Sequence, residues 1–279
     1  MRLALLVLPV LCVAAHAADL PPPMLREGEI TRAGEVTAYL THPTEAYRHG
    51  VFGRQVEAGG FAVERGGKRF EVKLTADQVF EDRRVRLLDV DGDGVAEAIV
   101  VKSTLEKGAA IAVYRIGKTK LEPLAETQPL GTANRWLNPV GVVEMNIDGR
   151  KFIGAVITPH LTGSLRFYEA RLGTLVEVTR IDGVTNHING SRNLDLSAVQ
   201  DVDGDGAEDV VLPTLDRKAL ALISLKGGKA VMAQKIEMKA GRITEIAALG
   251  PKGKFQVLLD TGDKQEVNLL PLPPVPPKP

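Results

Sequence analysis

Short apolar runs rich in Val, Ile and Leu recur along the chain, at residues 85–88, 98–101, 111–114, 140–143, 153–157, 165–168, 210–212, 220–225 and 255–259. Turns of Gly, Asp, Lys and Pro separate them, such as Gly117-Lys118 and Gly227-Gly228. No run continues with helical period. Runs this short, bounded by turn residues, predict β-strands, and many of them in succession predict a sandwich, a barrel or a propeller.

Self-similarity narrows that choice. The stretch 86–101, from Arg86-Leu87-Leu88-Asp89 to Ile99-Val100-Val101, returns at 198–212, from Ala198-Val199-Gln200-Asp201 to Val210-Val211-Leu212. A worn copy occupies 142–156 and a fainter one 246–257. Copies recur at roughly 45–57 residues, close to the length of a four-stranded blade. Repeated units of this size close on one another. The expectation is therefore an all-β propeller of about five blades, within a range of about four to seven. Each unit reads as strand, acidic turn, strand, loop, strand, tight turn, strand. Segment 36–74 lacks the acidic turn but has the length of one more blade, and 36–40 is placed to complete the last unit and latch the ring.

The acidic turns carry the most specific chemistry. Asp89, Asp91 and Asp93 alternate along an extended turn, with Gly92 and Gly94 between and after them. Alternate carboxylates converge on one point, where a hard cation offsets their repulsion. Calcium accepts six to eight oxygens in flexible geometry, whereas magnesium dehydrates reluctantly and demands an octahedron, so calcium is the expected ion. Val95 adds its carbonyl and Glu97 its carboxylate. The second site comprises Asp201, Asp203, Asp205, the Ala207 carbonyl and Asp209. Two structural calcium ions are expected. An EF-hand opens alike but needs a bidentate Glu at loop position twelve, where this chain has Val100 and Leu212, and it needs helical flanks.

The stretches Asp89 to Glu97 and Asp201 to Asp209, with an acid at the ninth position of each, resemble the FG-GAP/VCBS repeats of integrin α-subunit propellers and of many exported bacterial proteins. The likeness extends more loosely over 134–141, 158–168 and 186–197, most of the chain after its leader. It implies calcium loops joining the first and second strands of a blade, and it supplies no activity. Phe152 and Phe255 replace the ninth-position acid in the worn copies, which predicts packed rings there without calcium.

If the acidic turns mark one rim, the loops 103–108, 158–164 and 214–218 and the connections 134–138 and 186–192 mark the opposite one. These offer Arg135, Trp136, Asn138, Thr158, His160, Thr162, His187, Asn189, Ser191 and Arg192. An aromatic ring beside amide, hydroxyl and guanidinium groups suits recognition of a sugar or a peptide, and loops carry such functions. Arg135, Trp136, Asn138, His160, His187, Asn189 and Arg192 form the candidate ligand face. His49, His160 and His187 raise a transition-metal or enzymatic reading, but no two stand at a ligand spacing. Serines at 164, 191 and 197 lack a nucleophile-elbow context.

The ends and the composition set the remaining limits. Arg2, an apolar run over 3–13 and Ala15-His16-Ala17 read as a signal peptide over 1–17, and the run is too short to span a bilayer. A proline-containing linker over 18–28, a propeller over 29–270 and a proline-rich tail over 271–279 complete the expected organisation. The leader contains Cys12, the single cysteine, so export leaves a thiol-free chain. That excludes cysteine nucleophiles, cysteine-ligated zinc and iron–sulfur clusters. Lys plus Arg and Asp plus Glu each number 35, and no basic run stands out, so nucleic acid lacks its electrostatic footprint. The reading is a periplasmic or extracellular, calcium-stabilised binding or scaffolding protein. It is expected to be a monomer without a transmembrane segment, and its partner a protein or a carbohydrate. The alternative is a propeller enzyme acting on a polysaccharide or a phosphoester.

Overall fold

The computed structural model describes residues 23–144, 149–249 and 253–269. The expected leader, the 271–279 tail and the centre of the third turn, with Asn146 and Asp148, lie outside the described residues. All regular structure within them is β. No helix there is long and apolar enough to cross a membrane.

The strands fall into consecutive antiparallel units. The first comprises β1 (Thr31–Ala33), β2 (Val36–Thr44), β3 (Glu57–Arg65) and β4 (Lys68–Lys73), with β5 (Gln78–Phe80) following. The second is β6 (Arg86–Leu88), β7 (Glu97–Thr104), β8 (Gly108–Ile116) and β9 (Leu121–Glu126). The third is β10 (Leu137–Glu144), β11 (Lys151–Ile157), β12 (Ser164–Arg171) and β13 (Thr174–Asp182). The fourth is β14 (Ala198–Gln200), β15 (Asp209–Pro213), β16 (Ala219–Lys226) and β17 (Lys229–Glu237). The last has three strands, β18 (Ile243–Ala248), β19 (Lys254–Leu259) and β20 (Lys264–Asn268).

The closed propeller of about five blades is corrected by this topology. Single residue pairs, Ala58 with Phe80 and Glu126 with Thr174, fuse the first three units into one thirteen-stranded sheet. A four-stranded and a three-stranded sheet stand beside it, and no sheet closes on itself among the described residues. Nor does 36–40 latch a ring, because β2 pairs with β1 and β3. The physical reason is that repeat length specifies the unit and says nothing of how units join. Residues 18–28 are not all linker either. Met24 bridges Thr41, the Leu25 amide donates to the Leu40 carbonyl, and the Leu25 side chain is buried.

Packing follows strand composition. The inner strands β7 and β16 are buried on both faces, which is why they read as nearly unbroken apolar runs. The outer strands β13 and β17 alternate and meet solvent. Four apolar clusters lie between neighbouring units. One joins Phe61 and Phe80 to Tyr114, another Ile111 and Trp136 to Ile153, a third Phe152 and Phe167 to Val210, and a fourth Leu222 to Phe255. Each unit thereby presents a buried face to the next.

Candidate functional site

The turn between β6 and β7 is wound around its own carboxylates. Asp89 accepts from the amides of Gly92 at 2.7 Å and Gly94 at 3.1 Å, which requires both glycines to adopt left-handed backbone, with φ of 80° and 81°. Asp91 accepts from the Asp93 amide at 3.3 Å, and Asp93 from the Val95 amide at 2.7 Å. Glu97, at the start of β7, reaches back to the Val90 amide at 3.1 Å. The turn between β14 and β15 repeats each bond. Asp201 takes Gly204 and Gly206, Asp203 takes Asp205, Asp205 takes Ala207, and Asp209 takes Val202.

Each turn gathers three acids that could hold a metal ion. Carboxylate oxygens of Asp89, Asp91 and Glu97 lie within 4.8 Å of one another, as do those of Asp201, Asp203 and Asp209. Asp93 and Asp205 fall outside these groups, and the carboxylate of each closes the turn by accepting from the amide two residues on. Glu97 is wholly buried, and its Oε1 has no hydrogen-bond partner. Burial pushes its carboxyl up to about 7 against the pull of the Val90 amide, and the charges of Asp91 and Asp93 push the same way. Burial likewise raises Asp209 to about 6, with Ser224 and the Val202 amide opposing. Basic side chains partly offset the negative charge. Lys151 lies 2.8 Å from Asp89 and holds its carboxyl below the ordinary value, Arg115 lies 2.7 Å from Asp91, and Lys226 lies 3.7 Å from Asp203. In the worn copies Phe152 and Phe255 are buried in the clusters between units.

The ligand face needs correction. Trp136 is 2 % exposed, its indole packing edge-on to Phe52 and His187 and donating to the Glu81 carbonyl at 2.9 Å. Asn138 is wholly buried, donating to the carbonyls of Asn186 and Leu194 while accepting from Arg86. His187 is buried as well. These side chains meet, but as the tie between connections 134–138 and 186–192, because each finds its polar partner inside the protein. Arg135, Asn189 and Arg192 are exposed, and Arg192 pairs with Glu27 at 2.7 Å.

Two histidines 27 residues apart in sequence meet beside that indole, and a third pairs with a buried carboxylate. His160 stacks on Trp136 with ring centres 6.0 Å apart, and its Nε2 lies 2.8 Å from Nδ1 of His187. His187 Nε2 lies 3.0 Å from the Ser191 carbonyl. His49 Nδ1 lies 2.6 Å from Oε1 of Glu81, whose other oxygen accepts from Ser103 at 2.6 Å. Burial raises the Glu81 carboxyl, and His49 and Ser103 oppose the shift. Burial lowers His160 to about 4 and His187 to about 3, with charge on a neighbouring imidazole adding to each.

Sequence reasoning missed two further features. A buried charged network runs through Arg54, Glu57, Asp82 and Arg86: Arg54 pairs with Glu57 at 3.1 Å, and Arg86 with Asp82 at 2.7 Å. Glu81-Asp82, directly after the apolar Val79-Phe80, was the available signal. The other is a cavity of about 680 Å³ at the ends of the strands opposite the acidic turns. Leu137, Ile157 and Leu175 give it apolar walls, and Gln128, Arg135, Thr158, Thr162, Arg166 and Tyr168 line it with polar groups. Arg166 pairs with Glu177 at 3.0 Å, and its Nε is buried without a partner. Another cavity, of about 550 Å³, has paired charges in its wall: Arg84 with Glu29 and with Asp195.

No protein-family model matches the chain, and no curated protein matches its sequence. Its fold is similar to part of rhamnogalacturonan lyase YesW, at 13 % identity and a TM-score of 0.53, covering 86 % of this chain and 49 % of that one. The exotype rhamnogalacturonan lyase YesX is 15 % identical with a TM-score of 0.46, covering 82 % and 51 %. The chain thus spans about half the length of these solved structures.

Proposed function

We propose that this chain is a calcium-stabilised binding module that takes a carbohydrate in the 680 Å³ cavity opposite its acidic turns. The cavity carries the reading. It combines apolar walls with convergent hydroxyl, amide and guanidinium groups, the mixture that seats the faces and hydroxyls of a sugar. The Arg166 guanidinium in its wall is held in place by Glu177 at 3.0 Å. Calcium is supported by the chemistry of the turns: carboxylate oxygens only, an orphaned Glu97 oxygen, and like charges that a hard cation would neutralise. Resemblance of both turns to FG-GAP/VCBS loops supports the same ion.

The test is capture on an array of neutral and acidic oligosaccharides, with Arg135→Ala and Arg166→Ala beside the unaltered chain. Binding by the unaltered chain, weakened by either substitution with the melting temperature nearly constant, is the expected result. Absence of any glycan capture, or capture indifferent to both substitutions, overturns the reading. Cleavage of a captured polysaccharide would replace binding by catalysis at the same cavity.

A further inference from the structure

A single proton lies between the facing nitrogens of His160 and His187. The Ser191 carbonyl can only accept, so His187 carries its proton on Nε2 and turns the Nδ1 lone pair toward His160. His160 Nε2, 2.8 Å from that lone pair, is therefore the donor. A first added proton fits on His160 Nδ1 and leaves this bond intact. A second has no such place. It sets N–H against N–H and puts like charges on two rings whose centres are 5.0 Å apart. Phe52 and Trp136 pack edge-on to the buried His187, and Trp136 stacks on His160, so apolar rings stand where water would solvate the charge.

The surroundings supply no counter-charge. Segment 45–56 brings Tyr47, His49 and Arg54, the indole segment brings Arg135, Arg192 follows Ser191, and Glu81 lies at the indole nitrogen. The Tyr47 hydroxyl is taken by the Asn134 amide, Arg54 lies over the Phe52 ring, Arg135 reaches the Asn134 carbonyl, and Arg192 pairs with Glu27. Glu81, the one carboxylate among these groups, is engaged by His49 and Ser103. Burial accordingly holds both imidazoles below their ordinary value of 6.5, at about 4 for His160 and about 3 for His187. An opened pair takes up protons near 6.5, whereas the closed pair resists until those lower values. Closure is thus favoured above 6.5, and below it each imidazole shifts the balance toward opening by about tenfold per pH unit.

The pair stands directly behind the wall of the 680 Å³ cavity. Arg135 and Leu137 flank Trp136 in the chain, Thr158, Leu161 and Thr162 flank His160, and all five line the cavity. The Thr158 amide donates to the Trp136 carbonyl at 2.9 Å, which locks the two segments together. Thr158 is β-branched yet held at a left-handed φ of 45°, a strained conformation free to relax once the segments part. We propose that His160 and His187 form an acid-released clasp: charging both rings parts them, frees connections 134–138 and 186–192 from each other and loosens the cavity wall. The clasp does not depend on what the cavity holds; only release of a carbohydrate in acid rests on the reading given above.

Trp136 is the single tryptophan of the chain, so its emission reports the clasp. Between pH 7.5 and pH 4 the emission of the unaltered protein should shift to the red as the indole meets water. Far-ultraviolet circular dichroism should keep its β signal over the same range. In long-range ¹⁵N spectra both imidazoles should titrate in step with the emission. His160→Phe keeps a ring on the indole but cannot be charged, and should lower the midpoint by about one pH unit or more. If that variant fails to fold, emission and imidazole spectra of the unaltered protein still decide. Emission unmoved down to pH 4, imidazoles titrating while emission stays put, β signal lost at the same midpoint, or a midpoint indifferent to His160→Phe would each overturn the proposal. No oligosaccharide enters these measurements, so their failure leaves the carbohydrate reading standing, and a cavity that captures no glycan leaves the clasp standing.

Discussion

Trp136 and Glu57 owe their behaviour to burial, and each makes a prediction of its own. Trp136 fills space between Phe52, His160 and His187, and its single donor is spent on Glu81. Trp136→Ala should therefore destabilise the fold by about 3–5 kcal/mol, the usual range for a large aromatic removed from a core. Chemical denaturation measures this, and a loss below 1 kcal/mol would mean that the ring is not a packing element. Glu57 is wholly buried, and burial raises its carboxyl to about 8 even with Arg54 beside it. Between its ordinary range near 4.5 and about 8 the folded chain holds a proton that the unfolded chain has lost. Stability from this group is thus complete at low pH and declines as pH rises through that window. Glu57→Gln should raise the melting temperature more at pH 8.5 than at pH 5. Equal shifts at both would show that Glu57 does not titrate there.

At the scale of elements, the two acidic turns are the same object made twice. Their amide-to-carboxylate bonds correspond one to one, and each follows a three-residue strand and leads into a largely buried one. Asp91→Ala and Asp203→Ala should each remove one of two bound calcium ions by elemental analysis, because each deletes a member of one oxygen cluster only. Retention of both ions in either variant would refute the assignment. The turns were legible because a short loop that must satisfy its own amides needs Asp and Gly at fixed positions. The ligand face was not legible. Polarity in a connection does not say whether its partners are water or protein, and Asn138 and His187 found theirs inside. Nor could spacing reveal that His160 and His187 meet, since packing around the Trp136 indole, and no sequence motif, brings their loops together.

For the molecule as a whole, strand composition and repeat length foretold an all-β chain built from antiparallel units. The joining of units was beyond reach, because single residue pairs at strand ends decide it. With no cysteine among the described residues, the units are held by apolar faces and by polar contacts such as Lys151 with Asp89 and Glu208 with Glu144. Chelation should accordingly lower the melting temperature, by an amount equivalent to about 2.7 kcal/mol per site at a hundredfold excess of ligand over Kd. A melting curve indifferent to EGTA and to added calcium would sink that expectation.

The pairing of Lys151 with Asp89 has a mechanical side. Lys151 opens β11, in the unit after the one that carries Asp89, so this ammonium is a strut between neighbours. The second turn is fastened differently: its Glu208 exchanges hydrogen bonds with the backbone of Glu144, and no incoming cation competes for the carbonyl-to-amide half of that clasp. A divalent ion entering the first turn must evict the lysine and slacken a seam, whereas one entering the second leaves its seam fastened. Filling would then proceed from the second turn to the first, and the concentration of a divalent ion would be read as a change in grip between two adjacent plates of the same molecule.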